Sequence, residues 1–176
     1  MLTLFHYDRT SAAQRVRLYL EEKGLSWESV IVDTALGDVD QLPENFHKLN
    51  PKGLVPVIIH DDIAIPESQV IIEYLEDTFG GTPTLKPEKA RDLAQMRLWM
   101  RKIDEGIHVA SRTIGVCLVN RHIYKKKDPK KIEKYYSEMK DKVRKKNDQV
   151  NIELGIESPL LEEAMIEFKL LFSEMN

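Results

Sequence analysis

The sequence predicts an α/β domain of order β-α-β-α-β-β-α followed by an all-α domain. Three observations carry this. Over the first eighty residues the apolar positions switch between period 2 and period 3.6. The stretch "TPTLKP" then interrupts both patterns, with Pro83 and Pro87 as its marks. From Glu88 onward the repeats are helical and no strand pattern recurs. The expected divisions are a first domain over 1–82, a linker over 83–87 and a helical domain over 88–176.

The elements follow in order. "LTLFHY" alternates as a short strand, and "AAQRVRLYLEEKG" continues as a helix with Val16, Tyr19 and Leu20 on one face and Gly24 as its stop. "SWESVIVD" is a second strand, and "DQLPENFHKLN" is weakly helical before Pro51. "VPVIIH", the turn "DD" and "AI" form a strand pair, and "SQVIIEYLEDTFGG" is a helix closed by two glycines. A crossover helix makes the first two strands parallel, and a two-residue turn makes the last two antiparallel. That is the thioredoxin-like arrangement.

In the second region the long run from Glu88 to Lys126 is one helix, or two meeting near Gly106 or Gly115. Leu93, Met96, Trp99, Met100 and Ile103 keep the i, i+3, i+4, i+7 spacing of a helix. After the turn at Asp128-Pro129, "PKKIEKYYSEMKDKVRKKNDQVNIELG" is helical and mostly polar, and "SPLLEEAMIEFKLLFSEM" is an amphipathic last helix.

Composition narrows the function classes. The 176 residues hold a single cysteine, Cys117, which excludes an intramolecular disulfide framework and a multi-cysteine metal site. No apolar run reaches membrane-spanning length and the start lacks a secretory pattern, so a cytoplasmic protein without membrane or metal is expected. Charge is uneven: residues 1–82 carry 6 basic against 14 acidic side chains, and 121–146 carry 12 against 4. The basic block lacks glycine and base-stacking aromatics in an RNA-binding pattern, so it reads as solvated helices and no nucleic-acid partner is expected. Residues 1–82 contain no cysteine, which excludes dithiol redox chemistry.

The motifs "NPKGLVPVI", "IPES" and "IIEYLED" recur here in order, and with the two-domain plan they resemble the glutathione S-transferase superfamily. The likeness covers roughly 1–115 well and the rest more loosely. It implies glutathione as co-substrate, a hydrophobic electrophilic small molecule as second substrate, and a two-fold homodimer. It also implies further helical chain after Asn176, so that 88–176 is an incomplete domain. A cis Pro56 would turn the N–H and C=O of Val55 away from the sheet, free to pair with an extended peptide. Glu67 would face an α-ammonium, and Ser68, at a helix N-terminus, would receive a carboxylate. Lys52 or His47 would reach the glycyl carboxylate.

A hydroxyl near the first strand's end would stabilise the glutathione thiolate. Tyr7, Thr10 and Ser11 are available there. In the serine-type zeta and theta classes that this segment resembles, the hydroxyl stands six residues before the valine of an "RV" pair. Counting from Val16 gives Thr10, with Ser11 beside it, and these two are preferred to Tyr7. "TSA" stands where the zeta pattern has "SSC", so the cysteine is replaced by Ala12. Cys117 reads as a buried small hydrophobe.

"MRLWMRKIDEGIH", "SRTIG" and "GIESPLLEEAM" are similar to the bacterial branch of lignin β-aryl-ether-cleaving enzymes, which implies an aryl ether as electrophile. Met100, Asp104, His108 and Arg112 share one helix face and would line its pocket. The rival expectation is a non-catalytic module of the same fold that binds protein partners.

Overall fold

The computed structural model describes residues 1–32 and 46–175. The chain divides into two compact units, Met1–Met96 and Arg97–Asn176, so the expected linker falls inside the first. No helix among the described residues is long and apolar enough to cross a membrane.

The first unit contains β1 (Leu2–His6), α1 (Ser11–Glu22), β2 (Trp27–Ile31), α2 (Phe46–Leu49), β3 (Val57–His60), β4 (Ile63–Pro66) and α3 (Ser68–Phe79). Part of the weak helix expected over 40–50 lies outside the described residues. The sheet order is β2-β1-β3-β4. β1 and β2 are parallel, as the crossover through α1 requires, and the β1–β3 and β3–β4 pairs are antiparallel. Asp61 and Asp62 join β3 to β4 with φ of 47° and 65°, the left-handed values a two-residue hairpin turn demands.

Alternation along β1 sends Leu2 and Leu4 to one face, where they meet Val16, Tyr19 and Leu20 of α1 and Ile71 and Leu75 of α3. Val32, Phe46, Val55 and Val57 form the second cluster, with Phe5 and Tyr7 packed against it. Tyr19 of α1 and Lys23, its C-cap, both bond the buried Glu76 of α3, and Lys23 reaches Pro83 O at 2.7 Å. Leu85 N donates to Glu76 at 3.3 Å, so one carboxylate holds α1, α3 and the segment after them together.

From Ala90 to Tyr124 the chain is continuously helical: α4 (Ala90–Lys102), a π turn over Ile103–Ile107, α5 (His108–Gly115), a second π turn over Val116–Asn120, and α6 (Arg121–Tyr124). The breaks expected near Gly106 and Gly115 are therefore widened turns within one helix. No residue of α4 is buried, and Trp99 and, in the π turn that follows, Ile103 remain 37% and 38% exposed.

The polar stretch expected to be helical forms two helices. α7 (Pro129–Glu138) opens on Asp128, whose carboxylate accepts from Lys130 N. α8 (Lys142–Leu154) opens on Asp141, which accepts from Arg144 N. These caps satisfy exposed N–H groups and leave the chain extended at Met139. After one 3₁₀ turn at Gly155–Glu157, α9 runs over Pro159–Glu174. Within this unit Arg112 of α5 pairs with the buried Asp148 of α8, and Ser158 bonds Asn151 at 2.6 Å.

Candidate functional site

Strand register brings the candidate residues to one end of the sheet's strands. Phe5, near the end of β1, pairs with Val57 at the start of β3, and Val57 pairs with Pro66 at the end of β4. The segment after β1 therefore carries Thr10 and Ser11 to the same end that Val55-Pro56 enters and Glu67-Ser68 leaves. Three stretches far apart in sequence meet there because the sheet is mixed.

The turn before β3 is built by Asn50, which is 4% exposed. Its Oδ1 accepts from Lys52 N at 3.0 Å, its Nδ2 donates to Leu54 O at 2.8 Å, and its backbone O accepts from Gly53 N at 2.8 Å. Gly53 has φ of 65°, and a Cβ there would stand 2.8 Å from His47 Cε1. Glycine is thus required both by backbone and by the imidazole beside it. The Val55-Pro56 bond is cis. Ladder pairing begins at Val57, and among the described residues the N–H and C=O of Val55 have no backbone partner.

At the exit of β4, Glu67 caps α3 with φ of 69° and ψ of 110°, a conformation an L residue rarely adopts. Glu67 holds the N-cap place and Ser68 is the first helical residue. Glu67 makes no side-chain cap bond, and its carboxylate instead meets Lys52 Nζ at 2.8 Å. That hydrogen bond and charge raise the Lys52 pKa above the ordinary lysine value, keeping it an ammonium. Ser68 is buried, and its Oγ accepts from Arg15 Nε at 2.9 Å. Arg15 is absent from the sequence-based set. Its signal was available: one helical turn after Ser11, it shares that residue's face of α1.

The two hydroxyl candidates differ. Thr10 caps α1, its Oγ1 accepting from Ala13 N at 3.3 Å and donating to Tyr7 O at 3.2 Å. Ser11 begins α1 itself, exposed at the positive end of the helix. Tyr7 is half-buried against the second core cluster.

An α-amino-acid group has a complementary place at this end of the strands. Glu67 offers a carboxylate to an ammonium, while Ser68, Arg15 and the first N–H groups of α3 suit a carboxylate.

In the other unit, Met100, Asp104, His108 and Arg112 are all half-buried along one row. Such a row drifts by about 40° per step on an ideal α-helix, and the wider π turn at Ile103–Ile107 takes up part of that drift. The Arg112 guanidinium closes on Asp148 of α8. Cys117 is 1% exposed, and burial pushes its thiol above the ordinary value. Among the described residues no group of three or more His, Cys, Asp or Glu side chains is placed to hold a metal.

The glutathione S-transferase N-terminal domain family matches residues 4–83. A probable maleylacetoacetate isomerase of Vibrio cholerae is 38% identical over 107 residues, covering 61% of this chain and 49% of that protein. Protein LigF of Sphingobium sp. strain SYK-6 is 41% identical over 97 residues, covering 54% of this chain and 37% of LigF. These matches span half or less of the relatives' own lengths. The crystal structure of beta-etherase LigF from the same strain superposes with a TM-score of 0.85 at 27% identity, over 98% of this chain and 71% of that one. Residues 4–83, with the cis-proline turn and Glu67-Ser68 among them, match the N-terminal domain family of glutathione S-transferases.

Proposed function

We propose that this chain is a glutathione transferase that binds reduced glutathione at this end of the strands and activates its thiol for attack on a hydrophobic electrophile. The observation that carries this reading is the Phe5–Val57–Pro66 register, which gathers Ser11, Val55 and Glu67-Ser68 at one end of the strands. The unpaired backbone of Val55 suits the cysteinyl unit, and Arg15, Glu67 and Ser68 suit the γ-glutamyl end. Lys52 is the cation for the glycyl carboxylate in this reading, released from its exposed pairing with Glu67, which costs little.

A free thiol titrates near about 8.5. The Ser11 hydroxyl, donating to sulfur at the positive end of α1, favours the thiolate and lowers that value. The sulfur then forms a bond to the electrophilic carbon as the leaving group departs with its electron pair. Likeness to LigF favours an aryl ether here, in which case the C–O bond breaks and the aryl oxide takes a proton from water. Met100, Asp104, His108 and Arg112 are the residues we assign to the electrophile, with Arg112 reaching it through a guanidinium also held by Asp148. A homodimer in the cytoplasm is the assembly and compartment of this reading.

The test is calorimetric titration with reduced glutathione, with thiolate absorbance followed across pH. Saturable binding with a lowered thiol pKa is expected, and Ser68→Ala should weaken it without altering the fold. A folded protein that takes up no glutathione would overturn the reading in favour of a partner-binding module.

A further inference from the structure

The helical unit holds a cleft that the glutathione reading does not use. Its volume is about 580 Å³, the size of a small-molecule site, and it lies among α6, α7, α8 and the Asp128-Pro129 turn. Tyr124 and Tyr136 line it with nearly parallel rings, at 19° and 6.3 Å between centroids. Tyr135, which is not part of the lining, meets Tyr136 at 62° and 5.2 Å. Both floor residues are buried, and burial drives their hydroxyls far above the ordinary tyrosine value, leaving them neutral. Pro129, Ile132 and Ile152 extend the apolar surface.

Charge around this floor is one-sided. Lys125, Lys127 and Lys145 line the cleft against one carboxylate, Glu133. These lysines belong to the segment where 12 basic side chains stand against 4 acidic ones. An apolar floor with cations at its margin complements a flat ring that bears negative charge at one end.

We propose that this cleft is a second binding site, for a small aromatic carboxylate or an equivalent aromatic anion. The ring lies against Pro129, Ile132 and Ile152 and the exposed edges of Tyr124 and Tyr136, and the anionic group sits among Lys125, Lys127 and Lys145. A nucleic-acid strand is the weaker occupant: Glu133 stands among the lysines, where it would meet a phosphate row.

The probe is 1-naphthoate, titrated into the full chain by calorimetry and by NMR of the tyrosine rings. Saturable binding is expected, with 1-naphthylmethanol and citrate at least about tenfold weaker, because each lacks half of the complement. Lys125→Gln and Lys145→Gln, both at the surface margin, should each weaken naphthoate about threefold or more, and Ser68→Ala should leave it unchanged. The proposal is overturned if naphthoate fails to bind, if it binds equally to both lysine variants, or if Ser68→Ala removes it. A single-stranded oligonucleotide that binds more tightly and displaces naphthoate would overturn it in favour of nucleic acid.

Discussion

Arg15 Nε donates to Ser68 Oγ at 2.9 Å, fastening the first helix to the opening turn of the third at the place where a ligand carboxylate would lie. Ser68 is buried, so its hydroxyl oxygen is held in position by a cation that the proposed ligand would meet as well. Arg15→Ala should lower glutathione affinity about tenfold, in line with the loss of one hydrogen bond to a charged group. Arg15→Lys should recover only part, since an ammonium lacks the planar fork. The bound thiol's pKa should not move, because Arg15 serves the other end of the tripeptide. Calorimetry and thiolate absorbance on the same sample decide it. Unchanged affinity for Arg15→Ala would remove this residue from the site.

Thr10 and Ser11 separate by what their loss damages. Thr10 caps α1 and spends its proton on Tyr7 O, so Thr10→Val should cost about 1 kcal/mol of stability in urea unfolding. Ser11, exposed past the cap, is the hydroxyl assigned to the sulfur, so Ser11→Ala should raise the bound thiol's pKa toward its free value. The reverse outcome, a raised thiol pKa with Thr10→Val and none with Ser11→Ala, would exchange their roles.

Much of the fold was readable because local rules and long-range order agreed. The hairpin at Asp61-Asp62 and the crossover through α1 are enough to require a mixed sheet, and the shared end of its strands followed from it. Glu67-Ser68 and Val55-Pro56 were readable as short motifs. Arg15 was missed because its meaning depends on Ser68, 53 positions away, although its helical phase with Ser11 pointed to it. The repeat of Trp99 and Ile103 marks a helical face, yet both remain more than a third exposed, since periodicity reports a face and not what covers it. Arg112 shows the converse. Its face was readable, but the pairing with Asp148 requires knowing that α8 returns past α5.

That pairing is itself testable. Asp148 is 3% exposed, so Arg112→Leu strands a buried carboxylate and should cost about 3 kcal/mol. Asp148→Leu should also destabilise, and the double variant should regain much of the loss because no charge is left without its partner. Additive losses in urea unfolding would show that the two groups act separately.

Glu76 ties stability to pH. Burial raises its carboxyl pKa, but hydrogen bonds from Tyr19, Lys23 and Leu85 N, with the Lys23 charge, outweigh this and leave it below the ordinary 4.5. An acid depressed in the folded state binds more protons when unfolded, so its contribution is complete above 4.5 and disappears as pH falls through the lower folded value. Glu76→Gln should be less stable than wild type by about 1–2 kcal/mol at neutral pH, through weakened bonds to Tyr19 and Lys23. The gap should close in acid, below the ordinary carboxyl range. Unfolding free energies of both proteins along a pH series test this, and a gap that stays constant into acid would refute it.

Gly155 and Arg121 form a second dependent pair. Gly155 ends α8 with φ of 61°, and a Cβ there would fall 1.3 Å from Arg121 Nη1. The guanidinium lies across the glycine and donates to Glu153 O at 3.3 Å. Gly155→Ala therefore meets two penalties, a left-handed backbone and a displaced arginine, and should cost about 1–2 kcal/mol or more. Arg121→Ala removes the second penalty, so adding Gly155→Ala to it should cost less than in wild type, leaving only the backbone term. A double-mutant cycle from urea unfolding measures the difference, and strict additivity would mean that the guanidinium does not occupy the space over Gly155.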